Sequence, residues 1–176
     1  MASATYIRDG RAPIPASEQV SRVMSRIRSR DTAPERIMRR ALWVAGLRGY
    51  RLHYKKVPGR PDIAFVSRKL AVFVHGCFWH GCPYCQPRRP RTHEDFWNMK
   101  LARNQARDAR KSRELRKAGW RVLAIWECQL KRDPERQVQR VLRAWHVSGR
   151  TAAQKSAFRT PRKKRTARTV PRRSGE

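Results

Sequence analysis

Cys77, Cys82, Cys85 and Cys128 are the only cysteines of this 176-residue chain, and their placement constrains its fold more than any other feature. Three of them form a C-x4-C-x2-C cluster, with Pro83 suited to the tight turn of the knuckle, and the fourth lies far downstream. The N-terminus, Met1 to Arg11, lacks the apolar core of a secretory signal, so the expected compartment is the cytoplasm. Reducing conditions there favour metal ligation or isolated thiols over disulfides. Tetrahedral thiolate coordination is what zinc prefers in closed structural sites, and a zinc with four protein ligands has no open position for catalysis. Such an ion would tie a loop to the strand that precedes Cys128. Unbound thiols and a redox pair are the alternatives.

The segments around the cysteines alternate in type. Thr32 to Arg48 reads as a helix with Ile37, Met38, Ala41, Leu42 and Ala45 on one face. Thr32 and Glu35 have capping-box spacing, and Pro34 is tolerated in the first turn. Tyr50–Lys55, Asp62–Ser67 and Leu70–His75 read as strands, with Arg68-Lys69 marking a turn. Thr92–Ala118 predicts a long helix, opened by Thr92 with Asp95 and closed by Gly119. Trp120–Trp126 is a buried-strand run, and Pro134–Trp145 a final amphipathic helix. Helix, three strands, helix, strand, helix is an α/β layout around a central mixed sheet, the coarse shape of a restriction-endonuclease-like core.

Residues 1–16 show no periodicity and are expected to form a flexible N-terminus; 17–148 form the domain. From Gly149 the chain carries ten Lys and Arg against one acid, Glu176, which predicts a basic, disordered tail over 149–176. The whole chain has a formal charge of +30. That excess needs an anionic partner. No run of about 20 apolar residues exists to span a bilayer, and the basic residues share the chain with six Trp, so nucleic acid is favoured over a membrane surface.

Four constellations point to chemistry. Asp62 follows the turn Gly59-Arg60-Pro61 and enters a strand, where a fixed carboxylate offers hard oxygen ligands for Mg²⁺; alternatively it only caps the turn. His75 and His80 flank Cys77-Phe78-Trp79, and an imidazole titrating near neutrality can deprotonate water or hold a phosphate; core histidines or metal ligands are the alternatives. Phe78 and Trp79 can wedge between base pairs or pack over the zinc loop. Lys100, Asn104 and Asp108 share one helix face, where Asn can read a base edge and Lys a phosphate. A solvated polar face explains the same spacing.

Taken together these residues resemble the very short patch repair (Vsr) DNA mismatch endonucleases. The likeness runs from about Val20 to Leu130. It rests on Met24 to Glu35, Pro58-Gly59-Arg60-Pro61-Asp62, Val72 to Gly81, Phe96-Trp97 through Lys100, Asn104 and Asp108, Gly119-Trp120-Arg121-Val122 and Trp126-Glu127-Cys128. The resemblance implies a monomeric, Mg²⁺-dependent endonuclease with a structural zinc. It would nick one strand 5′ of the thymine in T:G mismatches left by deaminated 5-methylcytosine. Implied partners are mismatched duplex DNA, a companion cytosine methyltransferase and the MutL mismatch-repair protein, in the nucleoid.

By the same resemblance Asp62 is the Mg²⁺ ligand, His80 the general base and His75 the contact to the scissile phosphate. Glu35 and Asp108 are supporting carboxylates. Phe78 and Trp79 form the wedge, helped by Met24, and Lys100 and Asn104 lie on the DNA-facing helix. The chain departs from the family pattern in two respects. Val74 stands where relatives often have threonine beside the metal, and Cys82 with Cys85 stand where relatives use a histidine and one cysteine. A zinc-stabilised DNA-binding module without catalysis, and a nuclease for another lesion or a methylated restriction site, are the competing readings.

Overall fold

The computed structural model describes residues 7–8, 12–13, 18–26 and 30–157. Its elements are β1 (Ile7–Arg8), β2 (Ala12–Pro13), α1 (Glu18–Ser25), α2 (Ala33–Val44), β3 (Arg51–Leu52), β4 (Ile63–Phe65), β5 (Leu70–His75), α3 (Cys77–His80), α4 (Glu94–Lys117), β6 (Arg121–Trp126), α5 (Glu127–Arg132) and α6 (Pro134–Ala157). The main sheet has the order β3-β4-β5-β6. β3, β4 and β5 pair antiparallel in turn and β6 joins β5 in parallel, so the sheet is mixed, as expected. β1 and β2 pair separately, within the segment expected to lack structure. The remaining residues of 1–16 and residues 158–176 of the tail lie outside the described residues.

Strand alternation divides the side chains between the two faces of the sheet. Ile63, Phe65, Leu70, Val72 and Val74 join Met38, Leu42, Ile125, Leu130, Val138 and Val141 in the larger core cluster, under α2, α5 and α6. Ala64 and Ala71 face the other way and pack with Leu115 of α4 and Trp120. By the same parity Asp62 and His75 belong to the α4 face. That face holds the chemistry.

Several element bounds differ from the sequence reading, for local reasons. α2 stops at Val44 rather than Arg48 because Gly46 takes a left-handed φ of 76°. Its N–H then donates to Trp43 C=O and that of Leu47 to Leu42 C=O, a Schellman closure. Ile37 and Ala45 are exposed, so the buried stripe of α2 is Glu35, Met38 and Leu42. β3 is confined to two residues because His53 is left-handed (φ 44°). β4 ends at Phe65, where a 3-10 turn leads to left-handed Lys69. α4 begins after left-handed His93, without a side-chain cap, so Thr92 does not open it. It closes at Gly119 as expected, with Trp120 N–H on Leu115 C=O. α6 runs past Trp145 to Ala157, into the segment expected to be a tail.

Candidate active site

The parallel register of β5 and β6 places His75 beside Trp126. Two residues beyond each partner come Cys77, opening α3, and Cys128, in the first turn of α5. The register therefore brings the clustered and the distant cysteine together. All four Sγ positions lie within 4.8 Å of one another, Cys82 and Cys128 are 3.7 Å apart, and Cys128 N–H donates to Cys77 Sγ at 3.3 Å. Four thiol sulfurs so gathered fit a closed tetrahedral zinc site. α3 is one turn of helix. It is fixed at one end by this cluster and turns at the other at left-handed Gly81 (φ 62°), where a Cβ would meet the end of the Gln105 side chain of α4.

The opposite wall starts at the N-terminus of α2. The capping box of Thr32 and Glu35 forms as expected. Glu35 is buried, and its carboxylate accepts from Thr32 Oγ1 (2.9 Å), Asp31 N–H (3.2 Å) and Arg39 Nη2 (2.8 Å). Arg39 also hydrogen-bonds and pairs with Asp31, and so holds that carboxyl below its usual range. Asp62 sits between this group and β5, its Oδ2 accepting the Val74 N–H at 2.8 Å. Burial, with the nearby Glu35 charge adding to it, pushes Asp62 up to about 6 against the opposing Val74 hydrogen bond. The turn that delivers Asp62 is seated on α4: Gly59 has φ 78°, and a Cβ there would meet Lys111 Cβ at 2.9 Å.

A cleft of about 900 Å³ joins the walls and is lined by Glu35, Asp62, His75, Trp79, His80, Lys100, Asn104 and Asp108 together. Arg26, Arg30, Arg36, Arg60, Arg107 and Lys111 line it too. His80 Nδ1 lies 2.5 Å from Asp108 Oδ2, and the His75 ring meets the His80 ring at 4.2 Å, edge to face. Burial, with His80 beside it, lowers His75 to about 4, so it is a neutral imidazole at pH 7. Burial raises Asp108, but its hydrogen bond with His80, with Arg107 adding to it, brings it below its usual range.

Asn104 does more than its helix position suggested. It is buried, its Nδ2 donates to Trp79 C=O at 2.8 Å, and its Oδ1 accepts from Arg107. It ties α3 to α4. Phe78 and Trp79 are half-buried and meet Trp97 of α4 at 5.3 and 6.1 Å between ring centres. Phe78 is absent from the cleft lining, and the side chain of Met24 lies outside the described residues. Sequence reasoning missed three members of the site: Asp31, Arg39 and His53. His53 alone carried a signal, as a histidine between a strand and a Gly-Arg-Pro-Asp turn. Among the described residues no helix is long and apolar enough to cross a membrane.

The family model for the DNA mismatch endonuclease Vsr matches residues 14–86. The chain is 46% identical over 108 residues to the type II nicking enzyme V.XorIIP of Xanthomonas oryzae pv. oryzae, across 61% of this chain and 79% of that one. It is 39% identical over 111 residues to the DNA mismatch endonuclease Vsr of Escherichia coli, across 63% of this chain and 70% of that one. A solved structure, the catalytic domain of the homing endonuclease I-Bth0305I, superposes with a TM-score of 0.45 at 23% identity, over 67% of this chain and 98% of that one.

Proposed function

The chain belongs to the Vsr family of DNA mismatch endonucleases, and from that premise we propose that it nicks one strand of duplex DNA immediately 5′ of the thymine in a T:G mismatch. The observation that carries the proposal is the single cleft shared by Asp62, His75, His80 and Asp108 and rimmed by arginine and lysine. A DNA-binding module has no need of a carboxylate-paired histidine beside a half-buried aspartate. A nuclease needs both.

The donors fit a hard divalent cation: a half-buried Asp62 carboxylate, destabilised as an anion by burial and by Glu35, is the kind of charge such an ion compensates. Magnesium held there would supply the charge neutralisation that phosphodiester hydrolysis requires. Because Val74 serves Asp62 through its backbone N–H, the valine in place of threonine leaves this anchor intact.

His80 is the general base. Asp108 engages its Nδ1, which keeps the proton on that nitrogen and leaves Nε2 with a lone pair to take a proton from water. His75, neutral, presents a hydrogen-bond donor to the scissile phosphate. Lys100 contacts a flanking phosphate, and Asn104 holds the Trp79 carbonyl and with it the aromatic loop. Phe78 and Trp79, backed by Trp97, form the wedge that opens the stack at the mismatch, with Met24 on the N-terminal side. The protein acts as a monomer in the cytoplasm, at the nucleoid. It clears mismatches that a companion methyltransferase creates, and it works with MutL. The basic tail adds phosphate affinity without sequence preference.

The test is strand-specific nicking of a T:G duplex with Mg²⁺ by the wild type, Asp62→Ala and His80→Ala. Wild type cuts, and loss of the base lowers the rate about 10²–10⁴-fold with duplex binding retained. A wild type that binds without cutting refutes the enzyme. Equal cutting of fully paired DNA favours the second reading, a nickase for a modified or specific paired site, which the naming of the Xanthomonas relative as a type II nicking enzyme supports.

A further inference from the structure

His53 is the cleft residue for which the proposed chemistry has no use. Its imidazole is ringed by charged groups: Nε2 lies 3.1 Å from Arg39 Nη2, 3.4 Å from Asp31 Oδ1 and 3.6 Å from Glu35 Oε2, and Nδ1 faces Asp62 Oδ1 at 3.9 Å. Asp31, Glu35 and His53 are close enough to suggest a cation site of their own. The Arg39 guanidinium already takes that place, with Nη1 on Asp31 and Nη2 on Glu35. The cluster has its own cation.

Arg39 also decides where the imidazole proton sits. Arginine is a permanent donor without a lone pair, so an Nε2–H would point at an N–H 3.1 Å away. The arrangement without that clash has the lone pair on Nε2, accepting from Arg39, and the proton on Nδ1, directed at Asp62. Arg39 holds this pose although its Nε is buried with no hydrogen-bond partner among the described residues, which costs free energy. The His53 backbone is equally committed: it is left-handed, and its N–H donates to Asp62 C=O at 3.2 Å. Main chain and side chain of His53 thus both address Asp62. Val74 N–H serves Oδ2, and Nδ1–H faces the other oxygen.

We propose that His53 is a positioning residue for Asp62: Arg39 fixes its tautomer, and its Nδ1–H orients the carboxylate that receives the divalent cation. The proposal rests on the reading of Asp62 as the cation's ligand. The gap of 3.9 Å closes when the site is loaded, as catalytic hydrogen bonds tighten from their apo lengths. Outer partners of this kind fix the orientation of a ligating group and raise its affinity.

The test is Mn²⁺ binding to the full chain, followed by the electron paramagnetic resonance of the free ion, with duplex binding without added divalent cation as the folding control. His53→Asn puts an amide N–H at the position of Nδ1, His53→Gln puts one at the position of Nε2, and His53→Ala has neither. Roughly tenfold weaker Mn²⁺ binding is expected for His53→Ala and His53→Gln, with His53→Asn within about twofold of wild type. His53→Asn as weak as His53→Ala, or all three variants at wild-type strength while Asp62→Ala loses the ion, overturns the positioning role alone. Unchanged Mn²⁺ binding by Asp62→Ala overturns the ligand reading and the role of His53 with it.

Discussion

The two walls of the cleft are built by different means. The Asp62 wall grows out of the sheet: β4 pairs with β5 residue by residue, and α2 closes over it with a formed capping box and buried Met38 and Leu42. The His80 wall is a single helical turn, α3, too short to persist alone. It is held by a cysteine cluster, by Asn104 and by ring contacts to Trp97. One wall inherits the cooperativity of the core. The other depends on a few point attachments, which makes it separable.

Substitutions sort by this difference. The largest effect is expected for Cys128→Ser, since structural zinc contributes on the order of 10 kcal/mol of binding free energy. Bound zinc and nicking are lost while the sheet keeps a cooperative thermal melt; disappearance of that melt would mean the walls are one folding unit. Next is Leu42→Ala, which leaves a cavity under α2 and lowers unfolding free energy by about 2–5 kcal/mol. In denaturant titration its midpoint falls, with nicking well below the transition within about threefold of wild type because Leu42 is not among the residues that line the cleft. Asn104→Ala leaves the Trp79 carbonyl unpaired, for about 1–3 kcal/mol. Here mismatch discrimination should fall more than global stability, and the reverse order would place Asn104 with the core. The smallest is Thr32→Ala, about 1 kcal/mol from the loss of the cap, read as a drop of a few degrees in Tm.

The same division explains what the sequence disclosed. The Asp62 wall was legible where short-range rules act: Thr32 with Glu35 gave the cap, the run Leu70–His75 gave β5 to the residue, and Gly119 gave the end of α4. Gly46 carried an equal signal that the apolar pattern of α2 obscured. α3 and α5 were not legible because each is a turn or two around a cysteine, with no periodicity to read. The cysteines did point to each other, but the register that unites them is set by β5 and β6 pairing across about 50 residues. Arg39 and His53 stayed hidden for a related reason. Arg39 is an ordinary residue of its helix, the one signal of His53 is its place before the Gly-Arg-Pro-Asp turn, and only folding brings the two to Asp62.

Both glycine contacts fall on α4. The turn before Asp62 rests against Lys111, and the turn after His80 rests against Gln105. These seats are six positions apart, about 9 Å of helix axis at about 1.5 Å per residue. The helix therefore acts as a gauge block: the spacing between Asp62 and His80 follows its pitch. One residue inserted between Gln105 and Lys111 would turn one seat by about 100° relative to the other. Both walls could then fold correctly and still never face the same phosphate.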